Sequence, residues 1–135
     1  MATATLEGQK DTTSIKERTK MAAKRYLQHR GYEVRSSWES DSQFGYIAKD
    51  NQGVAFVRLL SNGIEKPGLP EEPLMSREEF EQVACRALAS SENHDMVDMP
   101  VRFDVLSLKV LCADRALIRH HIDVLSSSEE LACAC

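Results

Sequence analysis

The sequence lacks any long apolar run, and this absence excludes one class of protein at once. Its apolar residues stand in short groups separated by charges, and none approaches the roughly 20 consecutive apolar residues that a membrane-spanning helix needs. The start of the chain also lacks the basic cluster and apolar centre of a secretory signal. We therefore expect a protein that has no membrane partner and stays in the cytoplasm.

The chain is also too short for a second domain. Its 135 residues, of which 42% are hydrophobic, suffice for one core of ordinary size. We expect a folded domain over residues 14–125. A flexible N-terminus at residues 1–13 precedes it, and a C-terminal tail at residues 126–135 follows it.

The sequence contains cysteines, but it lacks the other features of a disulfide-stabilised secreted protein. The chain is longer than most such proteins and has no export signal. We therefore interpret its four cysteines as free thiols: Cys85, Cys112, Cys133 and Cys135. The last two form a C-x-C pair at the C-terminus, but two thiolates lack the other two ligands of a closed zinc site. We predict no metal and no cofactor.

Basic charge is concentrated at one end of an acidic chain. The net charge is −4, yet residues 16–35 hold seven basic and two acidic residues, while residues 36–135 hold nine basic and seventeen acidic ones. Such a patch can follow a phosphate backbone, although a charged helix is more often a solvated face. The candidate phosphate-binding residues in this segment are Lys16, Lys20, Lys24, Arg25, Arg30 and Arg35.

Two capping boxes predict two helices. Ser14 with Glu17 three residues later indicates a helix over residues 15–30, and the glycine that follows stops the run. Ser76 with Glu79 indicates a second, shorter helix. Apolar residues recur at helical spacing after each pair, so each helix is expected to bury one face.

Alternating and apolar runs predict five strands around these helices, at residues 32–37, 44–48, 54–60, 101–111 and 116–124. Turn residues at 50–53 join the second and third strands as a hairpin. Three of the four prolines lie in residues 61–75, which are expected to form a long loop. The predicted fold class is α/β (α+β), with a central mixed sheet of four to five strands and two main helices.

Four short stretches, taken in their order and spacing, resemble the YraN family of small bacterial proteins, which is grouped with the restriction-endonuclease-like nucleases. The last stretch matches the family's Arg-Phe-Asp-Val outright. The four are Ala23-Lys24-Arg25-Tyr26-Leu27 with Gly31-Tyr32, Gly45-Tyr46-Ile47-Ala48-Lys49-Asp50, Ala55-Phe56-Val57-Arg58-Leu59-Leu60, and Arg102-Phe103-Asp104-Val105. The resemblance covers about residues 19–125 and implies a restriction-endonuclease-like fold.

The resemblance also implies that the chemistry of the family has been lost. Its nucleases hold magnesium with an aspartate on one strand and a glutamate on the next, and a lysine two residues further on assists. These positions correspond here to Gly45, Arg58 and Leu60, and two further acidic positions correspond to Gln43 and Lys20. We therefore predict a degenerate nuclease site with no metal and no metal-dependent hydrolysis.

One aspartate and two histidines are candidate functional residues besides these five lost positions. Asp104 is the acidic motif residue that is retained; it can face the former active-site cleft, or it can be an ordinary strand residue paired with Arg102 or with the first helix. His120 and His121 are adjacent and face opposite sides of a strand, so they cannot jointly chelate one metal. We interpret both as ordinary strand residues.

Three functions remain open. The first is a catalytically inactive nucleic-acid-binding protein, for DNA or RNA, in which the first helix and Arg58 contact phosphates. The second is a protein-interaction or regulatory domain with no nucleic-acid role, favoured by the overall acidity and by the loop at residues 61–75. The third is an active nuclease with relocated ligands at Glu39, Asp41 and Asp104. Convergence of the basic side chains on one face would favour the first, and interspersed acidic side chains would favour the second.

Overall fold

A computed structural model describes residues 2–40, 43–71, 76–89, 95–96, 98–112, 115–125 and 131–132, with the backbone alone at residues 2–14 and 131–132. These residues form two helices, α1 (Ala2–His29) and α2 (Arg77–Leu88). The strands among them are β1 (Glu33–Ser40), β2 (Gln43–Lys49), β3 (Val54–Gly63), β4 (Pro100–Cys112), β5 (Arg115–His121) and β6 (Leu131–Ala132). Neither helix is long and apolar enough to cross a membrane.

The helices and strands follow one another in the predicted order. The first helix begins earlier than predicted, and one short strand was not predicted. α1 begins at Ala2, so Ser14 lies inside the helix and is not its N-cap. Residues 2–14 contain no proline, and a serine–glutamate pair does not start a helix whose preceding turns are already helical. β6 lies inside the predicted C-terminal tail.

α1 ends where its sequence predicts. Gly31 has φ of 92°, a left-handed backbone conformation that glycine adopts without strain. The N–H of Tyr32 donates to the carbonyl oxygen of Leu27 at 2.9 Å, which satisfies one of the last helical carbonyls. The chain therefore turns from the helix directly into β1.

The second capping box forms as predicted and sets the start of α2. Ser76 is the N-cap, and its hydroxyl oxygen accepts a hydrogen bond from the backbone N–H of Glu79 at 3.1 Å. The same hydroxyl donates to the Glu79 carboxylate at 3.1 Å. Glu78 and Glu79 also place negative charge on the first turn, where the helix dipole favours it.

The strands form one mixed sheet in the order β1-β2-β3-β4-β5, and the short β6 pairs with the start of β4. β3 and β4 are parallel, since α2 carries the chain back between them, and every other pairing is antiparallel. The predicted β2–β3 hairpin is present. The carboxylate of Asp50 accepts from the N–H groups of Gln52 and Gly53 at 2.8 and 3.0 Å and holds its turn. The predicted fold class is confirmed.

The sheet is covered on both sides, and strand alternation assigns each residue to one side. On the side that we call the α1 face, the helix residues Ala23 and Leu27 pack against the sheet residues Ala48, Ala55, Val57, Leu59, Leu106 and Leu108. On the side that we call the α2 face, Phe80, Val83 and Ala84 pack against Trp38, Ile47, Val54, Phe56, Leu60, Val101, Phe103 and Val105.

Candidate functional site

The positions that the resemblance assigns to a metal site are divided between the two faces. Gly45 and Arg58 are direct partners on β2 and β3. Alternation places both on the α2 face, together with Leu60 and Gln43. Lys20 belongs to α1 and contacts residues over the opposite face. The structure therefore brings four of the five positions together and separates Lys20 from them.

Gly45 is a glycine because the neighbouring strand approaches it closely. A Cβ atom at this position would lie 1.7 Å from the carbonyl oxygen of Val57 and 3.0 Å from Cα of Arg58. Any side chain, including the aspartate of the family pattern, would require β2 or β3 to move. Arg58 itself is only 4% exposed, so it cannot contribute to a surface that contacts phosphates.

Two of the predicted phosphate-binding lysines share one carboxylate. The Nζ atoms of Lys16 and Lys20 lie 3.0 and 3.8 Å from the carboxylate of Glu39, and both stand over the ring of Phe44. The hydrogen bond from Lys16 and the charges of both lysines lower the pKa of Glu39. The charge of this part of α1 is therefore partly neutralised within the protein.

Arg35 is also paired. Its guanidinium donates two hydrogen bonds to the carboxylate of Asp95, at 2.6 and 2.8 Å, and lies 3.6 Å from Glu33. The hydrogen bond from Arg35 lowers the pKa of Asp95. A bidentate pair of this kind leaves little of the guanidinium for another anion.

The remaining predicted basic residues lie near the C-terminal end of α1 or just after it, and Lys24, Arg25 and Arg30 are all exposed. Arg25 lines an open groove of about 470 Å³ between α1 and β5. Arg115 of β5 lines the same groove, so a second arginine that the sequence pattern did not single out joins the predicted one. The other lining residues are Ala22, Tyr26, His29, Leu111, Ala116 and Ile118.

The charge of this groove has one sign. Two arginines and one histidine line it, and no carboxylate stands among its described lining residues. An anionic group entering the groove would meet positive charge on both walls.

Beneath the groove wall, three side chains from three elements form a hydrogen-bonded chain. Asp104 on β4 is fully buried, and its Oδ2 atom lies 2.9 Å from Nε2 of His120 on β5. Nδ1 of His120 lies 3.1 Å from the hydroxyl of Tyr26 on α1, and the two rings meet edge to face at 5.6 Å. Tyr26 thus belongs both to the groove and to the buried chain.

The carboxylate of Asp104 has further donors. Nε of Arg102 donates to its two oxygens at 3.0 and 3.3 Å, and the backbone N–H of Asp123 donates to Oδ1 at 2.8 Å. The guanidinium of Arg102 also donates to the hydroxyl of Tyr32 at 2.5 Å. Pairing with Arg102 was one of the two roles considered for Asp104. Its complete burial excludes the other, an open cleft residue.

The ionisation of Asp104 determines the direction of the hydrogen bonds. Burial opposes the charged carboxylate most strongly, but the hydrogen bonds from His120, Asp123 and Arg102 together outweigh burial and lower the pKa of Asp104. An ionised carboxylate only accepts, so Nε2 of His120 carries the proton and donates. In the neutral imidazole, Nδ1 is then the acceptor of the Tyr26 hydroxyl proton. Burial likewise raises the pKa of Tyr32.

This arrangement can orient Tyr26, but it does not provide a metal site. Among the residues that the structure describes, no group of three or more histidine, cysteine, aspartate or glutamate side chains is placed to hold a metal ion. Of the relocated ligands considered above, Glu39 is bound by lysines and Asp104 is surrounded by donors, while Asp41 lies outside the described residues. Cys85 and Cys112 are exposed thiols, and Cys133 and Cys135 also lie outside.

His120 lies on a strand as predicted, and the structure adds two side-chain hydrogen bonds that the sequence did not indicate. The prediction that His120 and His121 face opposite sides was sound, since His121 is exposed and the side chain of His120 is nearly buried. Sequence spacing gave no sign that His120 would meet Asp104 and Tyr26. Burial of His120 would have indicated such contacts. However, polar and apolar residues alternate in this strand, so its sequence does not show which polar side chain is buried.

Comparison with known proteins adds no relative. No protein-family model matches the chain, and no curated protein is significantly similar to it. The resemblance to the YraN family therefore stays a prediction.

Proposed function

We propose that this protein is a non-catalytic nucleic-acid-binding domain whose phosphate-binding surface is the groove between α1 and β5. The observation that carries the proposal is the placement of Arg25 and Arg115 on opposite walls of one groove that has no described carboxylate. Arginine is the side chain best suited to phosphate oxygens, because its planar guanidinium donates to two of them at once. Lys24 on α1 and Arg30 directly after it are exposed as well and add positive charge near this end of the helix.

This surface differs from the one predicted from sequence. Arg58 is buried, and Lys16, Lys20 and Arg35 lie beside carboxylates. Only Lys24, Arg25 and Arg30, in the middle of the predicted basic segment, take part in the proposed surface, and Arg115 is added to them. The proposed function is binding rather than cleavage, because Arg58 and Gly45 offer no ligand where the resemblance places the metal.

The test is the salt dependence of binding to single-stranded DNA, double-stranded DNA and RNA. Each phosphate contact contributes about one unit to the negative slope of log affinity on log salt. Arg25→Ala and Arg115→Ala should each reduce the slope by about one. Arg86→Ala is the matched control, since Arg86 is an exposed arginine on α2, and it should leave the slope unchanged.

Two results would refute this proposal. One is the absence of binding to all three nucleic acids at low salt. The other is binding that Arg25→Ala, Arg115→Ala and Arg86→Ala weaken equally, because the contact would then be unspecific charge rather than the groove.

A protein-interaction domain is the second candidate, and one observation favours it. Glu39 lies between Lys16 and Lys20, while Asp95 lies beside Arg35. Acidic side chains thus stand beside the basic ones at both ends of the basic segment. Under this candidate no salt-dependent binding to nucleic acid would be measured, and Arg25→Ala would have no effect.

A further inference from the structure

The outer edge of the sheet at β5 is a second surface with unusual composition. β5 is the last strand of the sheet order, and among the described residues β4 alone pairs with it. Its other edge presents backbone N–H and C=O groups that an additional strand could pair with. Extended peptides bind to edges of this kind through main-chain hydrogen bonds, and side chains provide the specificity.

Side chains on one face of β5 are exposed along its whole length. Exposed and half-buried residues alternate strictly, and the exposed set is Arg115, Leu117, Arg119 and His121. Leu117 is 54% exposed, and Ile122, directly after the strand, is 59% exposed. The edge therefore combines large apolar side chains with basic ones.

A second copy of this chain does not suit the edge. In an antiparallel pair of β5 strands centred on Ile118, Leu117 would face Arg119 of the other copy, so the leucines would not meet. In a pair centred on Leu117 the leucines would meet, but Arg115 of each copy would face Arg119 of the other. Like charges in direct cross-strand positions are destabilising. An acidic strand meets none of these objections.

We propose that the β5 edge binds an extended acidic segment of another protein, which adds to the sheet as a further strand. Carboxylates of that segment would lie near Arg115 and Arg119, and an apolar side chain between them would contact Leu117. This inference goes beyond nucleic-acid binding, because it uses Leu117 and Arg119, which do not line the α1–β5 groove, and a different class of ligand.

The experiment uses the full chain and two labelled seven-residue peptides. In one, glutamates at positions 2 and 6 flank a valine at position 4 on the same face of the strand, and threonine occupies the other positions; in the other, lysine replaces each glutamate. Fluorescence anisotropy should show binding of the acidic peptide and at least roughly tenfold weaker binding of the basic one, because complementary charge sets the partner. Hydrogen exchange should slow at backbone amides of residues 115–121 when the acidic peptide binds.

Variants separate this proposal from the proposed function. Arg119→Glu and Leu117→Ser are exposed changes, and each should weaken binding of the acidic peptide roughly tenfold. Arg25→Glu, in the groove, should leave peptide binding unchanged while it weakens binding to nucleic acid. Circular dichroism verifies that each variant is folded.

Three outcomes would overturn the proposal. These are no measurable binding of the acidic peptide, equal affinity for the two peptides, and binding that neither slows exchange at residues 115–121 nor responds to Arg119→Glu. Loss of nucleic-acid binding in Arg25→Glu does not bear on the β5 edge, so the two proposals fail independently.

Discussion

The two faces of the sheet bury very different side chains. The α1 face covers the carboxylate of Asp104, with Arg102 and His120 around it. The α2 face covers an aromatic cluster, in which Phe80 stacks on Phe103 at 5.1 Å and meets Phe56 edge to face at 5.9 Å. The α1 face thus buries the Asp104 network beside an apolar cluster, and the α2 face buries the aromatic cluster together with Arg58.

This difference indicates where function and stability lie. A buried carboxylate is costly unless every oxygen is satisfied, so a network of this kind fixes each member in one position. Tyr26 belongs to this network and also lines the groove, so the network fixes the position of one groove residue. The surface of α2 over the other face carries the exposed carboxylates of Glu78 and Glu81. We therefore expect changes under α2 to alter stability alone, and changes under α1 to alter the groove as well.

The largest expected effect is on the α2 face. Phe103→Ala removes a ring that is 1% exposed and stacked on Phe80. Lost burial and the cavity left behind should lower the free energy of unfolding by about 4 kcal/mol. Urea unfolding measures this change, with Leu117→Ala as an exposed control that should have almost no effect. If Phe103→Ala cost less than its control, the aromatic cluster would not be the main source of stability.

The same comparison shows which parts of the fold a sequence can predict. The start of α2 and the β2–β3 turn depend on contacts within four residues, Ser76 with Glu79 and Asp50 with Gly53, and both are present. Contacts of this kind can be predicted because they depend only on residues close together in sequence. The same reasoning gave a wrong helix start at Ser14, where the capping pattern occurs inside a helix that has already begun.

The network on the α1 face could not be predicted in this way. His120 is 16 residues from Asp104 and 94 residues from Tyr26, so only the assembled sheet brings the three together. Gly45 is a similar case. Its sequence position suggests a lost ligand, but the structure gives a reason that depends on β3, whose backbone leaves no room for a side chain.

The second prediction concerns the centre of the polar network. Asp104→Asn removes the charge that Arg102 and His120 face, and breaking a buried pair by removing one partner is strongly destabilising. We expect a loss of about 3 kcal/mol in the free energy of unfolding at pH 7, measured by urea unfolding. Glu39→Gln, in an exposed pair with Lys16, is the control and should leave the unfolding midpoint almost unchanged.

The pH dependence of this loss follows from the lowered pKa of Asp104. The unfolded carboxyl has a pKa of about 3.9, so its stabilising effect is complete above roughly pH 4 to 5. As pH falls from there through the lower folded pKa, the unfolded state binds a proton more readily and the stabilisation is lost. The wild type should therefore lose stability more steeply than Asp104→Asn below about pH 4. Parallel curves would show that the Asp104 carboxylate is not held by its donors.

The smallest expected effect concerns the link between the network and the groove. Tyr26→Phe removes the hydroxyl that is hydrogen-bonded to Nδ1 of His120 and leaves Nδ1 without this partner, at a cost of about 1 kcal/mol. Tyr46→Phe is the matched control, because the hydroxyl of Tyr46 donates to the backbone carbonyl of Lys20 under the same helix, at 3.1 Å. Nitrogen-15 NMR of the His120 ring separates the two variants. The Nδ1 resonance should move in Tyr26→Phe and stay in place in Tyr46→Phe. An unchanged Nδ1 resonance in Tyr26→Phe would mean that the buried chain ends at His120, and the groove would then have no structural connection to Asp104.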